Sequence, residues 1–178
     1  PLYSSAASDV YKRQNGRGYG FFKITEGESS GLWSVLRLSE DEVLKGSLLI
    51  TLYENLRWKT ISPQGFRDEM LAYLPNESNS LLFSMALSYL GDCQRIFPSD
   101  SRPLEQALWK IVTTNPVSQH RLQAFRLYRS IADSEEAVQR LYTLWQERKA
   151  PKDCALSESD YIGLSYICLL YTSDAADE

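Results

Sequence analysis

Histidine and cysteine are scarce in this sequence, and each scarcity argues against a class of function. The 178 residues include one histidine, His120, and three cysteines. A zinc hydrolase needs clustered histidines, typically two on one helical face with a glutamate between them, and one histidine cannot supply them. No Walker loop and no G-x-S-x-G segment occurs either. The chain itself therefore predicts no catalytic, cofactor-binding or metal-binding residue.

Long apolar runs and a strong charge of one sign are missing too. No run approaches the roughly 18 apolar residues that cross a bilayer, so we expect no membrane span. A net charge of −4 predicts neither a nucleic-acid footprint nor a polybasic membrane patch. Cys93 and Cys154 lie too far apart to form a disulfide framework or a zinc knuckle, which leaves the compartment open.

The chain is rich in apolar residues at helical spacing, most clearly over residues 39–59. A leucine recurs there every four residues, and further apolar residues widen the stripe: Leu44, Leu48, Leu52 and Leu56, then Val43, Leu49, Ile50 and Tyr53. This pattern predicts a buried scaffold helix. Ser39 and Glu42 have the spacing of a capping box, which predicts the start of that helix.

Start signals divide the rest of the chain into similar amphipathic helices. We expect a linker at 26–30 and a short helix at 31–38. Further starts are expected at Ser62-Pro63, Asn79, Asp100 or Ser101, Asn115-Pro116, Asp133 with Glu136, and Ser157 with Asp160. Seven or eight helices with short connections predict an all-α fold, an irregular HEAT-like array of antiparallel helix pairs.

The segment at residues 15–25, NGRGYGFFKIT, differs from everything after it. Three glycines followed by apolar residues predict a turn that enters a short β-strand. A phosphate-binding glycine loop needs a strand before it and a helix directly after it, and here that order is reversed.

Several polar and aromatic residues admit two interpretations. His120, at a helix start, is expected to be solvated or to cap the helix. Glu54 and Asn55 either lie on the solvent side or bond a neighbouring helix, or else face a substrate. One set of arginines either lines a basic concavity for a peptide carboxylate or extends around apolar faces: Arg95, Arg102, Arg121, Arg126 and Arg129. The tryptophans favour core packing over a ligand cage: Trp33, Trp58, Trp109 and Trp145.

Both ends of the chain match translated sequencing-adapter sequence. SSAASDVYKRQ near the start and CLLYTSDAADE at the end correspond to one transposon adapter read in its two orientations. We therefore expect residues 1–14 and 168–178 not to be natural, and 15–167 to be a natural segment cut at both ends. The two tails carry +1 and −3, so −2 of the −4 belongs to them.

Five segments of the chain resemble the C-terminal part of the aminopeptidase N family, the gluzincin zinc aminopeptidases. They are NGRGYG at 15–20, LKGSLLITLYENL at 44–56, LPNESNSLLFSMALSYLG at 74–91, RPLEQALW at 102–109 and LSESDY at 156–161. The resemblance implies that 15–27 ends a β-sandwich domain and its linker. It implies that 28–167 is an incomplete helical C-terminal domain.

In that family the zinc signature H-E-x-x-H, the G-x-M-E-N loop and a transition-state tyrosine lie in the catalytic domain. None occurs here, and Tyr53-Glu54-Asn55 lies in the wrong domain for the M-E-N loop. The resemblance implies a non-catalytic helical lid, with the parent's catalytic domain and its peptide substrate as partners and zinc only in that parent. The alternative, from the residues alone, is a stand-alone helical-repeat scaffold that binds a protein partner.

Overall fold

The computed structural model describes residues 22–174, and for residues 168 and 170–174 it describes the backbone alone. This part of the chain is all-helical and contains eight α-helices. They are α1 (Glu26–Leu38), α2 (Glu42–Arg57), α3 (Pro63–Tyr73), α4 (Ser80–Ile96), α5 (Arg102–Thr114), α6 (Ser118–Ile131), α7 (Glu135–Glu147) and α8 (Glu158–Asp174). A 3₁₀ turn, Leu74–Asn76, follows α3. The all-α prediction is confirmed.

The predicted β-strand is not found in the described residues. Residues 22–25 have no strand partner, and residues 15–21 lie outside the described part of the chain. The linker predicted at 26–30 is wrong, because α1 already begins at Glu26. Thr25 and Glu28 form a capping box there, a signal that the glycines at 27 and 31 obscured in the sequence.

Three other helix starts differ from the predictions by a few residues. Asp41, not Ser39, caps α2: its carboxylate accepts the N–H groups of Val43 and Leu44, at 2.9 and 3.1 Å. A charged oxygen in the cap position outcompetes the serine, whose hydroxyl accepts the N–H of Asp41 instead. Ser134 likewise replaces Asp133 as the cap of α7.

The pair Asn115-Pro116 does not start a helix as predicted. Asn115 is the residue that ends α5, and its side chain accepts the N–H of Val117 at 2.9 Å. The next helix, α6, then begins at Ser118. The starts at Ser62-Pro63 and Asn79 are confirmed, and so is the capping pair of Ser157 with Asp160.

The chain divides into two compact units, Pro1–Tyr89 and Leu90–Glu178, with the boundary inside α4. In the first unit α1 packs on α2, and α2 packs on α3. The largest fully buried side chains there are Leu36, Leu49, Leu52, Leu56, Phe66, Met70, Leu74 and Phe83. Val43 and Ile50 are 72% and 42% exposed, so the apolar stripe of α2 is narrower than predicted. Seven residues apart, they share the helix face opposite the buried leucines.

In the second unit α5 packs on α6, and α7 packs on α8. Its fully buried side chains include Leu90, Leu108, Phe125, Tyr128 and Leu164. Leu164, on α8, is among the side chains with no exposed area. The helix α8 continues past Ile167 to Asp174, across the border predicted for the adapter sequence.

Candidate functional site

His120 lies in the protein interior, so the prediction of a solvated or capping residue is wrong. Its side chain is fully buried in the first turns of α6. Ala124 and Tyr128 follow at intervals of four residues and are fully buried as well. A 120–124–128 spacing is a helical stripe, and it was the sequence signal that indicated burial.

The five candidate arginines do not form an uncompensated basic concavity, because each lies beside an acidic residue or its carbonyl. The N–O distances of these pairs are 2.6 Å for Arg95–Asp92, 2.9 Å for Arg102–Asp100, 3.3 Å for Arg121–Asp153, 2.8 Å for Arg126–Asp160 and 3.0 Å for Arg129 to the carbonyl of Asp160. A peptide carboxylate would therefore have to displace a partner at each position.

The tryptophans divide between core and surface. Trp33 is buried edge-on against Phe66, at 5.6 Å between ring centroids, as predicted. Trp58 is 68% exposed, so core packing is wrong for this residue, which ends α2. Trp109 is half-buried beneath the guanidinium of Arg140, 4.7 Å from the ring centroid. Trp145 is half-buried too.

Asn55 is buried and Glu54 is half-buried. The predicted bond of Asn55 to a neighbouring helix is replaced by bonds to the chain that enters α1. Its side chain donates to the carbonyl of Phe22 at 2.7 Å and accepts the N–H of Ile24 at 2.9 Å. The Asn55 side chain thus bonds the protein backbone and does not face a site that a substrate could enter.

Glu77 is a buried carboxylate that the sequence interpretation missed. It accepts hydrogen bonds from the Tyr73 hydroxyl, from the Lys45 ammonium at 2.9 Å and from the Asn79 N–H at 2.7 Å. Burial opposes its ionisation, but these three donors outweigh burial, so the pKa of Glu77 lies below its ordinary value. Burial beside that carboxylate raises the pKa of Tyr73, which stays protonated.

Glu105 is a second buried carboxylate and joins α5 to the start of α7. It accepts the N–H groups of Asp133 and Ser134, at 2.8 and 3.1 Å, and the hydroxyl of Ser134. Burial again opposes ionisation, and the bonds from Ser134 and Asp133 overcome it, so the pKa of Glu105 is lowered. The carboxylate fills the anion site at the N-terminal end of α7.

Asp160 is the third buried carboxylate and joins α6 to the start of α8. Arg126 binds it with two hydrogen bonds, at 2.8 and 3.1 Å, and the Ser157 hydroxyl donates to it at 2.7 Å. The Arg126 bond, followed by the Ser157 bonds and opposed by burial, holds the pKa of Asp160 well below its ordinary range. The sequence identified this residue only as part of a cap.

A cavity of about 460 Å³ opens between the first turns of α5 and α7. Its wall is mostly charged: Asp100, Arg102, Glu105, Asp133, Glu135, Glu136 and Arg140 line it, together with Ser101, Gln106, Ser134 and Ala137. Glu105 is already fully engaged, and the Ser134 hydroxyl both donates to Glu105 and caps α7. In these bonds Glu105 and Ser134 connect α5 to α7, a structural role that we call the clasp. They do not make the Ser134 hydroxyl a nucleophile activated by a base.

Within residues 22–174 no group of three or more His, Cys, Asp or Glu side chains is arranged to hold a metal ion. The side chains of Cys93 and Cys154 are both buried. None of the helices in this part of the chain is long and apolar enough to cross a membrane.

Fold and site together define an all-helical protein in which buried carboxylates join neighbouring helices. Comparison with protein-family models, with curated proteins and with solved structures finds no match to the chain.

Proposed function

We propose that the chain is a non-catalytic helical lid segment of a zinc-dependent aminopeptidase of the aminopeptidase N family, which removes N-terminal residues from peptides. Its partners are the catalytic domain of the parent chain and a peptide in the cleft. The zinc ion belongs to that catalytic domain and supplies an activated water there. The residues of this chain enclose the peptide, exclude water and limit access.

One observation carries this proposal: four of the five segments that resemble the family contain polar residues whose hydrogen bonds link parts of the chain distant in sequence. Segment 44–56 contains Lys45 and Asn55, segment 74–91 contains Glu77, segment 102–109 contains Glu105, and segment 156–161 contains Asp160. Generic amphipathic helices share leucine spacing, but not polar contacts at defined positions. The resemblance therefore falls on residues that specify one packing of helices, which supports a common architecture.

Recovery of the complete open reading frame tests the proposal directly. We expect an H-E-x-x-H helix with a downstream glutamate to be encoded before residue 15, followed by a β-sandwich domain. A frame that starts near residue 15, with no such helix before it, would overturn the proposal. In a second test, the purified chain with added zinc should not hydrolyse aminoacyl-arylamides, and turnover that persists in a chelator would contradict a non-catalytic role.

The second candidate is a stand-alone helical scaffold that binds a protein partner, and exposed apolar residues favour it. Val43 and Ile50 share a solvent-facing side of α2, and Trp58 at its end is 68% exposed. Exposed aromatic and aliphatic side chains are frequent anchors of protein interfaces. A complete gene without a metallopeptidase domain would favour this scaffold over the lid.

A further inference from the structure

The entering segment, residues 22–25 together with the first residue of α1, Glu26, forms what we call the strap, and Asn55 holds its extended part through the backbone of Phe22 and Ile24. The Asn55 amide donates to the Phe22 carbonyl at 2.7 Å and accepts the Ile24 N–H at 2.9 Å, so it bonds the backbone on both sides of Lys23. Phe22 and Ile24 are half-buried, whereas Lys23 is exposed. The strap is therefore extended, with alternate side chains facing the helices.

The hydrogen-bonding capacity of Asn55 is fully used. Besides the strap, it donates to the Thr51 carbonyl at 2.9 Å and accepts the Thr60 hydroxyl at 2.7 Å. A carboxamide offers two N–H donors and two acceptor lone pairs, and all four have partners here. Aspartate would lack the donors, so this buried position requires an amide.

The Asn55 side chain reaches the turn between α2 and α3, residues 58–62, through the Thr60 hydroxyl, and the main chain of α2 holds the same turn. Thr60 donates its N–H to the main-chain carbonyl of Asn55 at 3.0 Å, and Lys59 donates its N–H to the main-chain carbonyl of Leu56 at 2.9 Å. These two bonds form a Schellman motif, in which Lys59 has a left-handed backbone with φ of 57°. A lysine in this conformation is strained relative to glycine and needs its surroundings to hold it.

The strap also binds the far end of the turn. Glu26 accepts the N–H of Ser62 at 2.7 Å, directly before α3 begins. The strap is thus connected to the turn in two ways: through the Asn55 side chain, which also accepts the Thr60 hydroxyl, and directly through the bond from Ser62 to Glu26. Because Asn55 and Glu26 connect the two segments, opening either segment removes support from the other.

From this arrangement we propose that the strap is a latch: its closure on Asn55 fixes the turn that carries the exposed Trp58, and the two segments open together. Short segments held by few buried contacts open locally at low free energy, well below global unfolding. A rearrangement of the chain before Phe22 would thereby reach Trp58 through Asn55. The latch does not depend on the proposed aminopeptidase role.

Amide hydrogen exchange on the full chain tests the latch. Ile24→Pro removes the N–H that Asn55 accepts, and we expect the amides of Lys59 and Thr60 to exchange about three- to tenfold faster, the effect of one lost hydrogen bond. Lys23→Pro places the same ring one residue away and keeps that N–H, so it should leave both amides nearly unchanged. The amides of Asn115 and Ala132, in the other unit, serve as references that neither substitution should change.

The reverse perturbation must show the same coupling. Lys59→Gly relieves the left-handed residue, and we expect the Ile24 amide to exchange more slowly. Glu26→Ala, at an exposed position, provides a milder opening of the strap if Ile24→Pro prevents folding. Unchanged exchange of Lys59 and Thr60 in Ile24→Pro, or in Glu26→Ala where that replaces it, would overturn the latch.

Discussion

At the residue scale, four buried polar side chains hold the helices at defined positions: Asn55, Glu77, Glu105 and Asp160. Each accepts at least three hydrogen bonds or, in the case of Asn55, uses every donor and acceptor it has. Removing one such group takes away several hydrogen bonds at once, which costs more than an average surface contact contributes.

We predict that Glu105→Ala lowers the free energy of unfolding by about 2–4 kcal/mol, because the N–H groups of Asp133 and Ser134 lose a charged acceptor. The matched control is Glu135→Ala, an exposed glutamate on the same cavity in the first turn of α7. Its loss should cost less than about 1 kcal/mol, the range of a helix-dipole contact. Urea unfolding measures both, and equal losses would refute a clasp at Glu105.

At the element scale, local capping chemistry sets where each helix begins and ends. Within a helix, the role of a residue depends on which atoms of other segments lie next to it. Two helical glycines show the difference. A Cβ added at Gly31 in α1 meets nothing within 4 Å, whereas one added at Gly91 in α4 lies 2.8 Å from Leu127. Gly31 only weakens its helix, while Gly91 allows a close approach of α6.

We predict that Gly31→Ala raises the free energy of unfolding by about 0.5–1 kcal/mol, the difference in helix propensity between the two residues. Gly91→Ala has the same gain in propensity but must displace the Leu127 side chain, so we expect no net stabilisation. Thermal unfolding of the two variants provides the comparison. A destabilised Gly31→Ala would show that α1 uses this glycine for something other than helix geometry.

At the scale of the whole molecule, each compact unit depends on ionised buried carboxylates. Glu77 lies in the first unit, and Glu105 and Asp160 lie in the second. The pKa of each is lower in the folded protein than its ordinary value of 4.5 for glutamate or 3.8 for aspartate. As the pH falls, the unfolded chain therefore binds protons before the folded chain does.

We predict that these three groups contribute a constant stabilisation to the free energy of unfolding above about pH 5, and that this contribution falls steadily below about pH 4.5. The sign follows because the pKa of each group is lower in the folded protein than in the unfolded chain. Each group therefore stabilises the fold fully above its unfolded pKa, and this stabilisation is lost as the pH falls towards its folded pKa. Urea unfolding between pH 7 and pH 3 measures the slope. The double variant Glu105→Gln with Asp160→Asn should flatten that slope, and a slope unchanged in the double variant would contradict the assignment.

Much of the helical series was predictable because its signals are local. Leucines four residues apart place α2, and Ser62-Pro63, Asn79 and Ser157 start α3, α4 and α8. Where two caps compete within a few residues, as with Ser39 and Asp41, the sequence does not show which oxygen the backbone will choose. The same ambiguity shifted the start of α7 by one residue.

The candidate site was less predictable, because its residues become important through partners distant in sequence. Asn55 looked like a polar interruption of α2, and its role depends on a segment more than thirty residues earlier. Glu105 accepts hydrogen bonds from Asp133 and Ser134, which lie 28 and 29 positions later in the sequence. Asp160 accepts one from Arg126, which lies 34 positions earlier. The spacing of residues along the sequence does not indicate which distant residues will be hydrogen-bonded to each other.

The sequence by itself determined that the described chain is helical and where most of its helices lie, because helix formation depends on neighbours within four residues. Only the tertiary structure decided which polar residues are buried, that Trp58 is exposed and His120 enclosed, and that Asn55 and Ser62 bond the strap. Burial depends on which faces meet, and that is set by packing between segments far apart along the chain.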